Sequence, residues 1–362
     1  MNPLQPGDII LGLMSGTSLD GLDLCACTFS QKTNEEVLDY RILCADTVSY
    51  PAKWRQILVN SFYSSMDELN RLNTQFGIYL AEEINFFCKK NKIQPALIGS
   101  HGHTVFHRPD QGITLQIGHG SIIRKMTGIP VISNFRMQDV QLGGQGAPLV
   151  PIGDRLLFRD YTFCLNLGGF SNISWESNGS RKACDIAPCN MLLNQLASRE
   201  NLVYDKDGIL ASCGRIIDNF LEQWNQLPYY SMGEPKSLGR EWFEKNWNNV
   251  IGSNEWETSD LLRTATEHIA MQIVNWIFRT GIQSNQKILV TGGGAHNKFL
   301  IERLSLLLGG EIKLHIPESM VIDYKEAMIF GLLAYLRYHG KMNILSSVTG
   351  SHYDHCSGDI YL

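Results

Sequence analysis

The chain has 362 residues, enough for two domains with separate apolar cores, and carries 31 basic against 36 acidic residues for a net charge of −5. No basic block stands out, which argues against nucleic acid and acidic membrane as partners. Nine cysteines, an odd number without a Cys-x-x-Cys pair, point to reduced thiols. There is no basic-then-apolar leader and no apolar run of about 20 residues, so the expected setting is the cytoplasm.

The first apolar run, 9–13, feeds a turn rich in Gly, Ser and Thr and leaves through a second apolar run, 22–29. That reads as a hairpin whose tip offers backbone amides, the hydroxyls of Ser15, Thr17 and Ser18, and the carboxylate of Asp20, with Gly16 allowing close approach. Such a tip suits a phosphate with its magnesium, Asp20 being the expected metal ligand; an ordinary tight hairpin is the alternative. Residues 37–50 read as a third strand ending at Pro51. The spacing of Leu69, Leu72, Phe76, Leu80, Ile84 and Phe87 predicts an amphipathic helix over 67–90. A short buried strand at 96–98 then runs into a loop, Ser100-His-Gly-His-Thr104, the kind of position where α/β folds place ligands.

The opening pattern recurs about 150 residues later. Residues 161–167 are apolar, Gly168-Gly-Phe-Ser-Asn172 is a polar turn, and 173–175 lead away. Two strand–turn–strand units of this kind predict a duplicated α/β architecture that clamps a nucleotide's phosphates from two sides. Residues 259–279 read as a long core helix. Residues 287–290 form a strand, Thr291-Gly-Gly-Gly294 a turn, and 299–308 a helix, so that a flat ligand or phosphate could lie on bare backbone at Gly292, Gly293 and Gly294. No Walker A lysine motif and no GxGxxG in register occur, which disfavours a P-loop or Rossmann site.

Phosphoryl transfer needs donors around the phosphates, a divalent metal and a base or orienting group for the attacking oxygen. The base candidate is Asp185, in Ala183-Cys-Asp-Ile-Ala-Pro-Cys-Asn190, placed between an extended segment and a helix pattern at 191–196 with Pro188 in its first turn; a plain helix cap is the alternative. His101, His103, His107 and His119 match no zinc signature and suit ligand contacts or surface loops. His352, His355 and Cys356 lie in a polar tail, and Tyr229 and the tryptophans at 242, 247 and 256 receive no role.

Taken together, several ordered motifs resemble the anhydro-N-acetylmuramic acid kinase family, of the actin/hexokinase/heat-shock-70 ATPase superfamily. They are Gly12-Leu-Met-Ser-Gly-Thr-Ser-Leu-Asp-Gly21, Ser100-His-Gly-His-Thr104, Thr114-Leu-Gln-Ile-Gly118, Gly143-Gly-Gln-Gly-Ala-Pro-Leu-Val-Pro151, Leu165-Asn-Leu-Gly-Gly-Phe-Ser-Asn-Ile173, Lys236-Ser-Leu-Gly-Arg-Glu241 and Gly292-Gly-Gly-Ala-His-Asn297. The resemblance implies duplicated actin-like (ribonuclease H-like) α/β domains around a central ATP and substrate cleft, with boundaries at 1–133 plus 340–362 and 134–339. It implies hydrolysis of the 1,6-anhydro bridge coupled to transfer of the ATP γ-phosphate to O6, in cell-wall recycling. On the same resemblance, Gly16, Thr17, Ser18, Leu19, Asp20, Gly21, Leu22 and Asp23 bind the phosphates and Mg²⁺. Gly168 and Gly169 take part in the same binding, while Gly292, Gly293, Gly294 and Asn297 lie by the adenosine. Asp185 is the base, Glu326, opening a helical run at 327–336, lies near the sugar, and Thr104, His103 and Arg136 contact it. The resemblance allows a homodimer, though no segment marks an interface.

This chain departs from the family pattern in places. The commonest form after the base is Asp-Thr-Gly-Pro-Gly-Asn, where this chain has Ile186, Ala187 and Cys189, so the backbone there must suit residues with a Cβ. His103 stands where glutamine is usual, and His119 and Asn134 where aspartate is. A kinase for another sugar and a nucleotide-binding regulator without turnover are the rival readings.

Overall fold

A computed structural model describes residues 4–5, 7–16, 19–31, 38–252, 255–281, 286–310 and 312–362. Among them the strands run in chain order as β1 (Ile10–Ser15), β2 (Leu22–Gln31), β3 (Leu38–Val48), β4 (Leu97–Arg108), β5 (Ile113–Ile117), β6 (Val131–Ser133), β7 (Phe163–Leu167), β8 (Phe170–Ser177), β9 (Ser180–Pro188), β10 (Lys287–Thr291), β11 (Lys313–His315) and β12 (Asp359–Tyr361). The chain divides into two compact units, one of residues 1–159 and 324–362 and the other of residues 160–323.

In the first unit the sheet order is β3-β2-β1-β4-β6-β12, with β5 on β4. β1, β2 and β3 form an antiparallel meander, and β1 continues through parallel pairing to β4 and β6. The second unit repeats this order as β9-β8-β7-β10-β11, again a meander extended by two parallel strands. The repeated hairpins of the sequence are therefore the first two strands of the same topology used twice.

The predicted 67–90 helix is Met66–Asn91, started by a capping box in which Glu68 N–H reaches Ser65 Oγ and the Ser65 N–H donates to Glu68 Oε2 at 2.8 Å. Its apolar stripe of Leu69, Phe76, Leu80 and Ile84 packs with Leu11, Leu13, Leu24 and Ile98 in the first core. In the second unit the Thr258–Arg279 helix is the core element, burying Leu262, Ala265, Ile269 and Ile273 among Leu165, Ile173 and Val290.

Three expectations change. Ser100–Thr104 is not a loop but the middle of β4. Its first half pairs parallel with β1 and its second half pairs antiparallel with β5, a change of partner that its polar composition concealed. The helix around Glu326 begins at Ser319, so Glu326 lies within it rather than at its start. The unit boundaries fall at 159/160 and 323/324, not at 133/134 and 339/340. Residues 134–159 pack on the first unit through the Tyr40–Phe158 ring contact at 5.4 Å, and a buried Lys325 Nζ–Asp154 Oδ1 ion pair of 3.0 Å ties in the rest of the Ser319–Tyr338 helix.

That helix lies directly on β1 and β4. A Cβ on Gly12 would run into the Ala327 carbonyl, and one on Gly99 into the Phe330 carbonyl. Backbone cannot yield as a flexible side chain can, so Gly99→Ala should cost the first unit about 3 kcal/mol. Denaturant unfolding measures it, and a loss under about 0.5 kcal/mol would mean the helix moves off the sheet freely.

Candidate active site

Asp185 sits inside β9, three residues before its end, and Pro188 closes the strand instead of opening the following helix, Asn190–Ala197. The register slips there: Asn172 faces Asp185 and Ser171 faces Ala187, leaving Ile186 as the extra residue of a bulge. Its position in the strand therefore rules out the helix-cap alternative, and the carboxylate has other partners. Oδ2 accepts the Leu238 N–H at 2.9 Å, the Asp185 N–H donates to the Lys236 carbonyl at 3.2 Å, and Tyr229 donates its hydroxyl to the Asp185 carbonyl at 2.8 Å. Oδ1 has no hydrogen-bond partner among the described residues. Burial raises the carboxyl above the usual aspartate range, and the Leu238 N–H and the Lys236 cation pull it back in part.

Ile186, Ala187 and Cys189 are all fully enclosed in the core of the second unit, and none has a positive φ. The changed residues around Asp185 thus fill apolar space.

The first unit gathers the remaining polar candidates. Tyr50 donates to Ser15 Oγ at 2.6 Å, which leaves the serine hydroxyl to donate to His103 Nδ1 at 2.9 Å. This chain assigns the His103 proton to Nε2. Burial lowers His103 to about 4, so the ring is neutral at pH 7. The His101 Nδ1–H donates to the Gly102 carbonyl at 2.9 Å, which leaves Nε2 to accept from Arg136 Nε at 3.0 Å and Nη2 at 2.9 Å. Burial and then the Arg136 charge push His101 well below its ordinary value. Arg136 also donates to the Gly146 carbonyl at 2.6 Å; burial brings it down to about 10 against the pull of Glu326 and Asp139, and it stays a cation. Burial raises Glu326, with Lys325 and Arg136 opposing. Thr104 accepts a long 3.4 Å hydrogen bond from Gln116.

In the expected phosphate turn, Thr17 and Ser18 lie outside the described residues. Leu19 takes a left-handed conformation at φ 60°, Asp20 is exposed, and Asp23 Oδ1 accepts the Thr47 hydroxyl at 2.6 Å. Gly21 and Leu22 are structural: a Cβ on Gly21 would lie 2.6 Å from the Val48 carbonyl oxygen, and Leu22 is wholly buried. In the second unit, a Cβ on Gly169 would meet only Met191 Cε at 3.8 Å, and one on Gly293 only Asn190 Nδ2 at 3.6 Å, so backbone is bare there. Gly168 accepts the Asn190 N–H at 3.0 Å, Gly292 and Gly294 pack against Leu167, and Asn297 Oδ1 caps the Lys298–Leu307 helix through Leu300 N–H at 3.0 Å. Asn297 is therefore committed to a cap.

The family model for anhydro-N-acetylmuramic acid kinase matches residues 8–362. The chain belongs to that family. It is 34% identical to the anhydro-N-acetylmuramic acid kinase of Mannheimia succiniciproducens, over 94% of this chain and 95% of the relative. The counterpart from Crocosphaera subtropica is 35% identical over 97% of this chain and 98% of its own. Among solved structures, component A of the (R)-2-hydroxyglutaryl-CoA dehydratase of Acidaminococcus fermentans aligns with a TM-score of 0.45 and 14% identity, covering 92% of this chain and 100% of that one.

As a member of the anhydro-N-acetylmuramic acid kinase family the chain is an enzyme, a sugar kinase with phosphotransferase activity, and its two units repeat one α/β topology. No helix among the described residues is long and apolar enough to cross a membrane. Two departures from the family pattern have local partners. Asn134 Nδ2 donates to Asp359 Oδ2 at 2.8 Å, where an aspartate would set two carboxylates together, and His119 Nδ1 accepts the Ser121 N–H at 3.2 Å, the work of a capping aspartate. Sequence reasoning missed Tyr50, Tyr229, Lys236 and Leu238. Only the Lys236-Ser-Leu-Gly-Arg-Glu241 motif marked any of them.

A carboxylate whose folded pKa lies above its unfolded value of about 3.9 costs stability when ionised. The cost is absent below the unfolded value and grows as pH rises through the folded one. Asp185→Asn, which keeps an acceptor for Leu238, should therefore raise the melting temperature at pH 7.5 by about 2–4 °C and lose the gain near pH 3.5. Equal melting curves at both pH values would remove the burial penalty.

Proposed function

We propose that this chain opens the 1,6-anhydro ring of anhydro-N-acetylmuramic acid with water activated by Asp185, while O6 receives the γ-phosphoryl group of ATP. The products are N-acetylmuramic acid 6-phosphate and ADP, and the setting is cytoplasmic recycling of cell-wall sugar. What supports the reading is the state of Asp185: one oxygen fixed by the Leu238 N–H, the other without a partner among the described residues, and the carboxyl's pKa raised by burial. A base whose pKa is raised takes a proton from water more readily than an ordinary aspartate.

The oxygen of the water bonds to C1 as its proton passes to Asp185 Oδ1. The C1–O6 bond breaks, and O6 takes the phosphoryl group. Glu326, raised by burial, hydrogen-bonds the sugar, and Arg136 and the Nε2–H of His103 orient it, with Thr104 as a further contact. Arg136 is itself held in place by His101 and Gly146. Gly16 and the turn that follows, together with Gly168 and Gly169, offer the phosphates backbone donors, and Gly292–Gly294 gives the adenosine a flat bed. The bare backbone at Gly169 and Gly293 and the exposed carboxylate of Asp20 suit a nucleotide carrying its metal. A bound Mg²⁺ supplies charge neutralisation on the phosphates, and Asp20 and Asp23 are the carboxylates that would hold it.

The test is turnover of ATP, Mg²⁺ and the anhydro sugar in ¹⁸O water, read by mass spectrometry. One ¹⁸O at C1 of a 6-phosphorylated product, with kcat reduced at least about 10³-fold in Asp185→Asn, is the expected result. Labelled product formed by Asp185→Asn at an undiminished rate would sink the assignment, and phosphorylation of an unopened sugar would sink the coupled reaction.

A further inference from the structure

Lys236 is an unusual lysine. It is 8% exposed, yet no carboxylate lies within ion-pair distance among the described residues. Its ammonium sits 4.4 Å from the centroid of the Tyr229 ring and 4.4 Å from that of Trp276, and its only hydrogen bond among the described residues is a 3.4 Å contact to the Tyr229 carbonyl. Two π faces stabilise a cation without neutralising it, as a carboxylate would. The same side chain borders a cavity of about 640 Å³, lined also by Ile186, Tyr230 and Arg279.

The backbone of this lysine and the residue two positions on hold Asp185 at both ends. The Lys236 carbonyl accepts the Asp185 N–H, and the Leu238 N–H donates to Asp185 Oδ2. Tyr229, whose ring lies under the ammonium, donates its hydroxyl to the Asp185 carbonyl. Ammonium, aromatic seat and carboxylate are therefore one assembly, fixed by backbone hydrogen bonds.

We propose that Lys236 is a positioning residue for the base, its unneutralised ammonium supplying the field that keeps the Asp185 carboxylate ionised. The proposal rests on the reading of Asp185 as the base. A salt-bridged lysine could not serve in this way, because its partner would cancel the field. The aromatic seat explains how the charge is kept close without forming a pair that would tie up the free oxygen of Asp185.

Burial raises the other acids packed around this assembly. Burial pushes the Cys184 thiol up to about 12, and Tyr229 and Tyr230 are raised well above the ordinary tyrosine value. Burial lowers Lys236 most, and Arg279, stacked on Trp276 and donating to the Tyr230 carbonyl at 2.9 Å, adds to this as a second cation, while Asp185 opposes both. Glu234 acts on Cys184 from an exposed position. Asp185 is thus the group whose titration the lysine controls.

The experiment compares the full-length enzyme with Lys236→Met, which keeps an apolar stem between the rings, and Lys236→Arg, which restores a cation on them. Removing the positive charge makes ionisation of Asp185 harder, so the acidic limb of the kcat profile should move up by about one pH unit in Lys236→Met. The deficit should fade as pH rises, KM for the sugar should change little, and Lys236→Arg should return the limb toward its original place. If Lys236→Met does not yield folded protein by its melting curve, Lys236→Gln takes its place. A loss of kcat equal at every pH, or an unmoved acidic limb while ¹⁸O incorporation still depends on Asp185, overturns this inference alone. Undiminished incorporation in Asp185→Asn overturns the base assignment and this inference with it.

Discussion

The first unit depends on one steric constraint, the contact of the Ser319–Tyr338 helix with the backbone of β1 and β4. Gly12 and Gly99 have no Cβ, and the carbonyls of Ala327 and Phe330 occupy the space one would fill. This closeness sets where the rest of the helix goes. Lys325 reaches Asp154 in a buried pair, and Glu326 lies near enough to Arg136 for each to shift the other's protonation. The ring of Phe330, in the same helix, packs at 4.6 Å from that of His101, the residue that holds Arg136. A helix displaced outward by a single methyl group would loosen all three.

Neutral imidazoles follow from the same burial. A protonated His101 beside Arg136 would set two cations side by side in a desolvated site, so the histidine stays an acceptor for the guanidinium. His103 is neutral for a simpler reason, burial alone, and the hydroxyl chain from Tyr50 through Ser15 then determines which nitrogen carries the proton. His101 and His103 thus serve as hydrogen-bond parts of the first unit.

Periodicity made the long helices and the hairpins readable, because each buries one stripe or one face. The capping box at Ser65 and Glu68 and the glycine turns after β7 and β10 mark element ends in the chain itself. Long-range pairing is less visible. β4 changes partner at its centre, so its polar middle reads locally as a loop, and Pro188 reads as a helix start until Phe170 is seen opposite it. Asp185 stood out as a carboxylate between an extended segment and a helix pattern, with Pro188 close behind it, whereas Tyr229, Lys236 and Leu238, 44 to 53 residues further on, reach it through a phenol hydroxyl and backbone atoms that no local pattern announces.

Both units bury one carboxylate near a cation and leave it without a salt bridge among the described residues. Asp185 has Lys236 and the Leu238 N–H, Glu326 has Arg136 and Lys325, and in both cases burial outweighs the help. Each cation is engaged elsewhere, Lys236 by aromatic rings, Arg136 by His101 and Gly146, Lys325 by Asp154. A direct pair would lower either carboxyl further, but it would occupy the carboxylate's lone pairs. Holding the cation at a distance eases ionisation of the carboxyl without occupying its oxygens. The conformational cost falls on the aromatic seat and the buried histidine, which the apolar cores of the two units can carry.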